Sequence, residues 1–309
     1  MRAVSQRAFG GPEVLEIIQT GRPMPGAGEV LVRVRAASIN PADWKRRAGL
    51  LPRFGPPPFT LGLDLAGTVA AVGGPSRFHP GDAVYGVSLP QGSHAEYVTV
   101  AEQSLAPVPA NLDLTHAAAV PTAALTAWQA LIQVAQVKPG QRVLVHAAAG
   151  GIGHLAVQIA KAHGAYVLGT ASTAKHDFLE KLGIDEAIDY TSTDFAEAAH
   201  DIDAVIDPIS GAYGPRSLAT LKRTGILVDV RGTGPDRDPI HELAREHGLR
   251  YTVFGFTPSG DDLRQISTLI EREALRVIVD RTFPLEQAAE AHRISESGHA
   301  TGKIVLTLT

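Results

Sequence analysis

The sequence predicts an α/β protein in which a small β-rich domain accompanies a doubly wound parallel sheet, and three observations carry that expectation. The chain has 309 residues, long for one core and comfortable for two. From Glu29 to Val108 it runs in short apolar segments broken by Gly and Pro, among them "EVLVRVRAASIN", "LAGTVAAVGG", "GDAVYGV" and "HAEYVTV", the pattern of closely spaced strands in a partly open barrel. Beyond Asn111 strand-like runs alternate with helical spacings, which predicts parallel strands covered by helices on both faces.

The elements follow in order. "LTHAAAVPTAALTAWQALI" is Ala- and Leu-rich with helical spacing, and "VKPGQRVLVH" turns into a strand over Arg142–His146. A helix through Lys161, a strand over Tyr166–Gly169, a helix over His176–Leu182 and the strand "EAIDY" come next. "DAVIDP", "GILVDV" and "LRYTVFGF" are apolar runs between turn signals. A helix over Asp261–Glu271, the run "ALRVIVDRTFP", the helix "LEQAAEAHRISES" and the strand "GKIVLTLT" complete the chain. The last strand has the style of the N-terminal β region, so the chain is expected to return there. The division expected is 1–113, 114–257 and a returning segment, 258–309.

Composition excludes several functions. A net charge of −4 and a pI near 6.3 give no basic field for nucleic acid. The chain contains no Cys, which removes disulfides, thiolate catalysis and Cys-ligated zinc. "MRAVSQRAFGG" lacks an apolar signal core and no apolar run is long enough to cross a bilayer, so no membrane partner and a cytoplasmic location are expected.

The stretch "HAAAGGIGHLAVQIAK" joins a strand to a helix through three glycines. The template G-x-G-x-x-G falls on Ala148, Gly150 and Gly153, with its first glycine replaced; Gly151 and Ile152 complete the turn. Such a turn combines a tight bend, close approach of a pyrophosphate and close helix-to-strand packing, and the N–H groups at the helix start hold the anion. Out of context it is a Gly-rich corner with no ligand; the strand before it and the units after it favour a dinucleotide. An NAD site places an acid at the end of the next strand. Here "YVLGTASTAKHD" offers Thr170, Ser172 and Lys175, with no carboxylate before Asp177. Hydroxyls and a cation suit a 2′-phosphate, so NADPH is the cofactor expected; the competing account of Ser172 and Lys175 is an ordinary solvated helix start.

"AASINPADW", "LGLDLAGTVAAVG", "GDAVYG", "HAEYV", "AAAVPTAALTAWQAL", "VHAAAGGIGHLAVQIAK" and "GKIVL" together resemble the zinc-free, zeta-crystallin-like quinone oxidoreductase branch of the medium-chain dehydrogenase/reductase superfamily. The resemblance covers essentially the whole chain. It implies a GroES-like catalytic domain, a Rossmann NADP-binding domain, a cleft between them, and a homodimer paired through "LRYTVFGF". Where zinc-dependent members carry G-H-E, this chain has Gly62, Leu63 and Asp64. "HELAREH" from His241 has Arg245 where H-E-x-x-H needs its second His, so no metal is expected. None of the six Tyr residues begins the Tyr-x-x-x-Lys of short-chain reductases.

Hydride transfer without a strong Lewis acid suits acceptors that delocalise charge, which are quinones and α,β-unsaturated carbonyls. Asn40 in "SINPAD" is the residue placed at the substrate carbonyl, because a fixed amide donates without changing charge; as a residue before Pro41 it also suits a turn. Asp43 either orients Asn40 or a water, or caps a short helix. By resemblance Thr126 lies beside the nicotinamide, though a helical Thr also back-bonds. By resemblance Tyr190 contacts the adenosine phosphate end, with core packing as its alternative. Arg231 and Gly232, in "VDVRGTG", end a parallel strand where backbone approaches the nicotinamide. No obvious general acid stands out. The other class kept open is an NADPH-binding protein with a structural or regulatory role and little turnover.

Overall fold

The computed structural model describes residues 1–51, 55–90, 92–231 and 237–308. The short apolar runs of the first third become β1 (Arg2–Gln6), β2 (Glu16–Gln19), β3 (Glu29–Ile39), β4 (Phe59–Thr60), β5 (Asp64–Val72), β6 (Ala83–Val87), β7 (Tyr97–Ala101) and β8 (Leu105–Pro107). The middle of the chain supplies β9 (Arg142–Val145), β10 (Tyr166–Ala171), β11 (Glu186–Asp189), β12 (Ile202–Asp207), β13 (Leu221–Asp229) and β14 (Arg250–Val253). The end supplies β15 (Val279–Pro284) and β16 (Lys303–Thr307).

The chain divides into two compact units, Met1–Leu125 with Pro258–Glu271 and Val277–Thr309, and Thr126–Thr257 with Arg272–Arg276. In the first unit a seven-stranded sheet follows the path β15-β16-β3-β5-β6-β8, with β7 paired to β3, and β2-β1-β4 form a smaller sheet. The alternation along β3 explains its place: Val32 and Val34 are buried while Arg33 and Arg35 face water. Val30, Leu65, Val69 and Leu105 share one core with Leu285, Ala291, Ile304 and Leu306 of the returning segment. β16 runs antiparallel to β3 with Ile304 opposite Ile39. This is the GroES-like part of the α/β fold.

In the second unit all six strands of one sheet are parallel, in the order β11-β10-β9-β12-β13-β14. Ranked along the chain this is 3-2-1-4-5-6, the doubly wound Rossmann order. The order reverses between β9 and β12, so the carboxyl ends of those two strands mark the switch point where such sheets bind ligands. Leu144, Leu168, Val205 and Leu227, one from each of the four central strands, are buried together in its core.

The boundary expected between residues 113 and 114 falls after Leu125. The helix Leu114–Ala118 packs on β3 and β5, and the N–H of Thr122 donates to Asp64 at 2.8 Å, which binds that helical stretch to the first unit. Residues Arg272–Arg276 belong to the second unit, where Gln158 clamps Arg276 by donating to its carbonyl and accepting from its N–H.

Candidate active site

The turn after β9 is built by close packing. Ala147 takes a left-handed conformation, φ 48°, and the helix Gly153–Ala162 begins directly beyond the bend. A Cβ on Gly153 would lie 2.2 Å from the Ala147 carbonyl oxygen and 2.7 Å from Ala148 Cα, so only hydrogen fits there. Ala148, which replaces the template's first glycine, is fully buried and donates its N–H to the Thr170 carbonyl. A glycine on the neighbouring strand makes room for its methyl: a Cβ on Gly169 would come within 2.6 Å of Ala148 Cβ. His146 is buried edge-on against the stacked rings of Phe195 and Tyr213, with its ring nitrogens on Thr170 Oγ1 and Ser217 Oγ. Burial lowers its pKa to about 3, so the imidazole is neutral and packs as an aromatic.

The other cofactor candidates lie along the same carboxyl edge. Thr170 is buried, its hydroxyl turned to His146 and to the Ala147 N–H, which makes it a support of the turn. Ser172 and Lys175 are half-buried in the bend that follows β10. Tyr190, just past β11, is 51% exposed, which excludes core packing. Arg231 follows β13 and its N–H donates to Asp229; Gly232 lies outside the described residues.

Two carboxylates at this edge stand outside the candidate residues read from the sequence. Asp229 gathers Ser210, Arg237 and Tyr251. Asp207 accepts from the N–H groups of Ile209 and Ser210 through one oxygen, and burial raises its pKa to about 6. Each ends an apolar strand run, and that position is the signal that marks them.

In the first unit Asn40 directly follows β3 and caps the start of the helix Pro41–Arg47. Its side chain is 4% exposed. Nδ2 donates to Asp64 Oδ2 at 2.8 Å, and Oδ1 accepts from Lys303 Nζ at 2.6 Å. Asp43 reaches the backbone: its oxygens accept from the N–H groups of Asn40, at 2.7 Å, and Gly62, at 3.1 Å. Burial pushes the Asp43 pKa up to about 7, against the pull of those N–H groups. Asn40 and Asp43 are thus brought together as a helix start, and the side-chain partners of Asn40 are Asp64 and Lys303. Thr126 is buried in the helix Pro121–Trp128, just before a π-helical turn over Gln129–Val134; such turns concentrate at functional sites.

A β-rich unit that yields to a 3-2-1-4-5-6 parallel sheet with a glycine-cornered first turn, and to which the chain then returns, defines a medium-chain dehydrogenase/reductase. Residues 26–110 match the alcohol dehydrogenase GroES-like domain, and residues 182–306 match the zinc-binding dehydrogenase model. The quinone oxidoreductase of Pongo abelii is 34% identical, over 100% of this chain and 98% of its own length. A solved NAD-dependent alcohol dehydrogenase is 34% identical with a TM-score of 0.92, covering 100% of both chains. The Escherichia coli quinone oxidoreductase complexed with NADPH is 28% identical with a TM-score of 0.89, again covering 100% of both. The chain belongs to the quinone oxidoreductase branch of the medium-chain dehydrogenase/reductase superfamily, a superfamily of oxidoreductases.

Proposed function

We propose that the protein is an NADPH-dependent oxidoreductase that reduces quinones or α,β-unsaturated carbonyls by hydride transfer without zinc. The observation that carries this is the corner after β9, where Gly153 lies against the Ala147 carbonyl and a helix begins at the switch point of the sheet. A helix start in that place is a pyrophosphate site. Bound NADPH supplies the hydride. The backbone N–H groups at Gly151, Ile152 and Gly153 hold the pyrophosphate, while Gly150 closes the turn by giving its N–H to the Ala147 carbonyl, with Ala148 packed beneath. Ser172 and Lys175 take the 2′-phosphate, and Tyr190 lines the adenosine phosphate end. Arg231 and Gly232 serve the nicotinamide end, where the Thr126 hydroxyl bonds the carboxamide.

Asn40 donates to the acceptor oxygen as charge builds there. A primary amide has two N–H bonds; one is given to Asp64 and the other serves the substrate. Asp43 fixes the Asn40 backbone. The donor set does not fit a catalytic zinc: Cys is absent, Leu63 stands where zinc enzymes carry His, and Asp64 already serves Ser38, Asn40, Thr122 and the Lys303 ammonium. Among the described residues no three His, Asp or Glu side chains gather into a metal site.

The partner is a small molecule, and β14, the edge strand of the parallel sheet, is the place for homodimer pairing. Among the described residues no helix is long and apolar enough to cross a membrane. The test follows NADPH oxidation with a panel of quinones and enones. Steady turnover on at least one acceptor is expected. Tight NADPH binding with no turnover on any of them overturns the proposal in favour of a structural or regulatory role.

A further inference from the structure

We infer that Lys303 and Asp64 are positioning residues that lock the Asn40 amide in the one orientation presenting an N–H, and not its oxygen, to the acceptor carbonyl. This rests on the proposal that Asn40 binds the acceptor. The two ends of a carboxamide are nearly the same size, so packing alone does not choose between them; a flipped amide would set its oxygen against the substrate oxygen. Here both neighbours choose. An ammonium has donors only, so Oδ1 must face Lys303 Nζ, at 2.6 Å. A carboxylate has acceptors only, so Nδ2 must face Asp64 Oδ2, at 2.8 Å.

The topology brings these residues together from distant parts of the chain. Ile304 lies opposite Ile39 across β16 and β3, which sets Lys303 beside Asn40. Asp64 opens β5 and is itself fixed, by Ser38 Oγ at 2.6 Å and the Thr122 N–H at 2.8 Å. Lys303 is tied further by the Ile39 carbonyl at 3.3 Å. Ser38, Asn40, Asp64 and Lys303 are all buried, so salt does little to screen the arrangement.

Stability alone does not account for these charges, because a buried ion pair, here 3.7 Å apart, is often no better than well-packed apolar side chains. Its consequence for Asn40 is specific. An ammonium on the amide oxygen draws electron density from the nitrogen and strengthens the remaining N–H as a donor. It also places a fixed positive charge behind the point where negative charge develops.

A double-mutant cycle tests this with NADPH and a quinone as probes. Asn40→Ala is expected to lower kcat by about 100-fold, the effect of losing one oxyanion donor. Lys303→Met and Asp64→Asn are each expected to lower kcat by about 10-fold or more while NADPH affinity changes less than about twofold. In the Asn40→Ala background the same substitutions are expected to cost less than about twofold, because their effect passes through Asn40. Equal losses in both backgrounds overturn the positioning role and leave the role of Asn40 standing. An Asn40→Ala variant with unchanged kcat overturns the role of Asn40 itself. Should Lys303→Met or Asp64→Asn fail to fold, Ser38→Ala, which removes one bond to Asp64, carries the same comparison: a loss of about threefold confined to the Asn40 background supports the role, and a loss equal in both, or none, overturns it.

Discussion

The carbonyl oxygen of Ala147 lies 2.2 Å from the place where a side chain on Gly153 would begin. The oxygen belongs to the backbone of the turn and cannot rotate away, so Gly153→Ala must displace the turn or the helix start. We expect a loss of about 1–3 kcal/mol in stability and a fall of 10-fold or more in NADPH affinity. The corresponding distance at Gly150 is 3.2 Å, so Gly150→Ala is expected to cost less than about 1 kcal/mol. Thermal melts with NADPH titration by fluorescence rank the two; equal destabilisation by both would refute the packing account.

Cofactor choice is expected to hang on Lys175. It stands in the bend after β10, and β10 ends at Ala171 without a carboxylate. Asp189, beside Ala171 in register on β11, is engaged by the hydroxyls of Thr173 and Thr191, and those bonds hold its pKa well below the ordinary carboxylate range. Lys175→Glu reverses a charge suited to a 2′-phosphate. We expect kcat/KM for NADPH to fall by about 10- to 100-fold with that for NADH nearly unchanged. An equal loss for both cofactors would remove Lys175 from the 2′-phosphate site.

These two cases show what was legible in the sequence. The glycine corner is a local feature, because strand, turn and helix are contiguous and their periodicities change at the corner itself. The missing carboxylate after β10 is local for the same reason. The Asn40 network is not local. Asp64 in "GLDLAG" and Lys303 in "GKIVL" are each a single charge in an apolar run, and what brings both to Asn40 is the antiparallel pairing of β16 and of β5 with β3, a tertiary fact. The helix Leu114–Ala118 misled in the same way: its spacing identifies a helix, but only its packing on β3 and β5 assigns it to the first unit.

Buried imidazoles are expected to weaken the fold as pH falls. Burial lowers the folded-state pKa of His94 to about 4 and of His146 to about 3, and holds His292 well below its ordinary value. The unfolded chain takes up these protons near pH 6.5. Below that pH the unfolded state therefore binds more protons, and the stability these groups contribute is lost as pH falls from about 6.5 towards 4. Asp43, raised to about 7, works in the opposite sense: its contribution is full below about pH 4 and is lost as pH rises through 7. We expect His94→Leu to flatten the dependence of unfolding free energy on pH between 6.5 and 4, by up to about 1.4 kcal/mol per pH unit, and Asp43→Asn to steepen it. Urea unfolding at several pH values checks both, and parallel profiles for wild type and His94→Leu would contradict the assignment.

Residues 182–306 match a model described as zinc-binding, yet the chemistry around Asp64 is set against a divalent cation. Its Oδ2 receives Ser38 and Asn40 and has the Lys303 ammonium 3.7 Å away, and its Oδ1 receives the Thr122 N–H. A zinc ion there would displace hydrogen bonds from a buried carboxylate and stand beside a buried positive charge. It would find no thiolate, because the chain has no Cys, and zinc sites are built from Cys, His and carboxylate in sets of three or four. We expect exhaustive dialysis against 1,10-phenanthroline to leave quinone reduction within about 20% of the untreated rate, and elemental analysis to find far less than one zinc per chain. Activity lost on chelation and restored by stoichiometric zinc would overturn the proposal of metal-free hydride transfer.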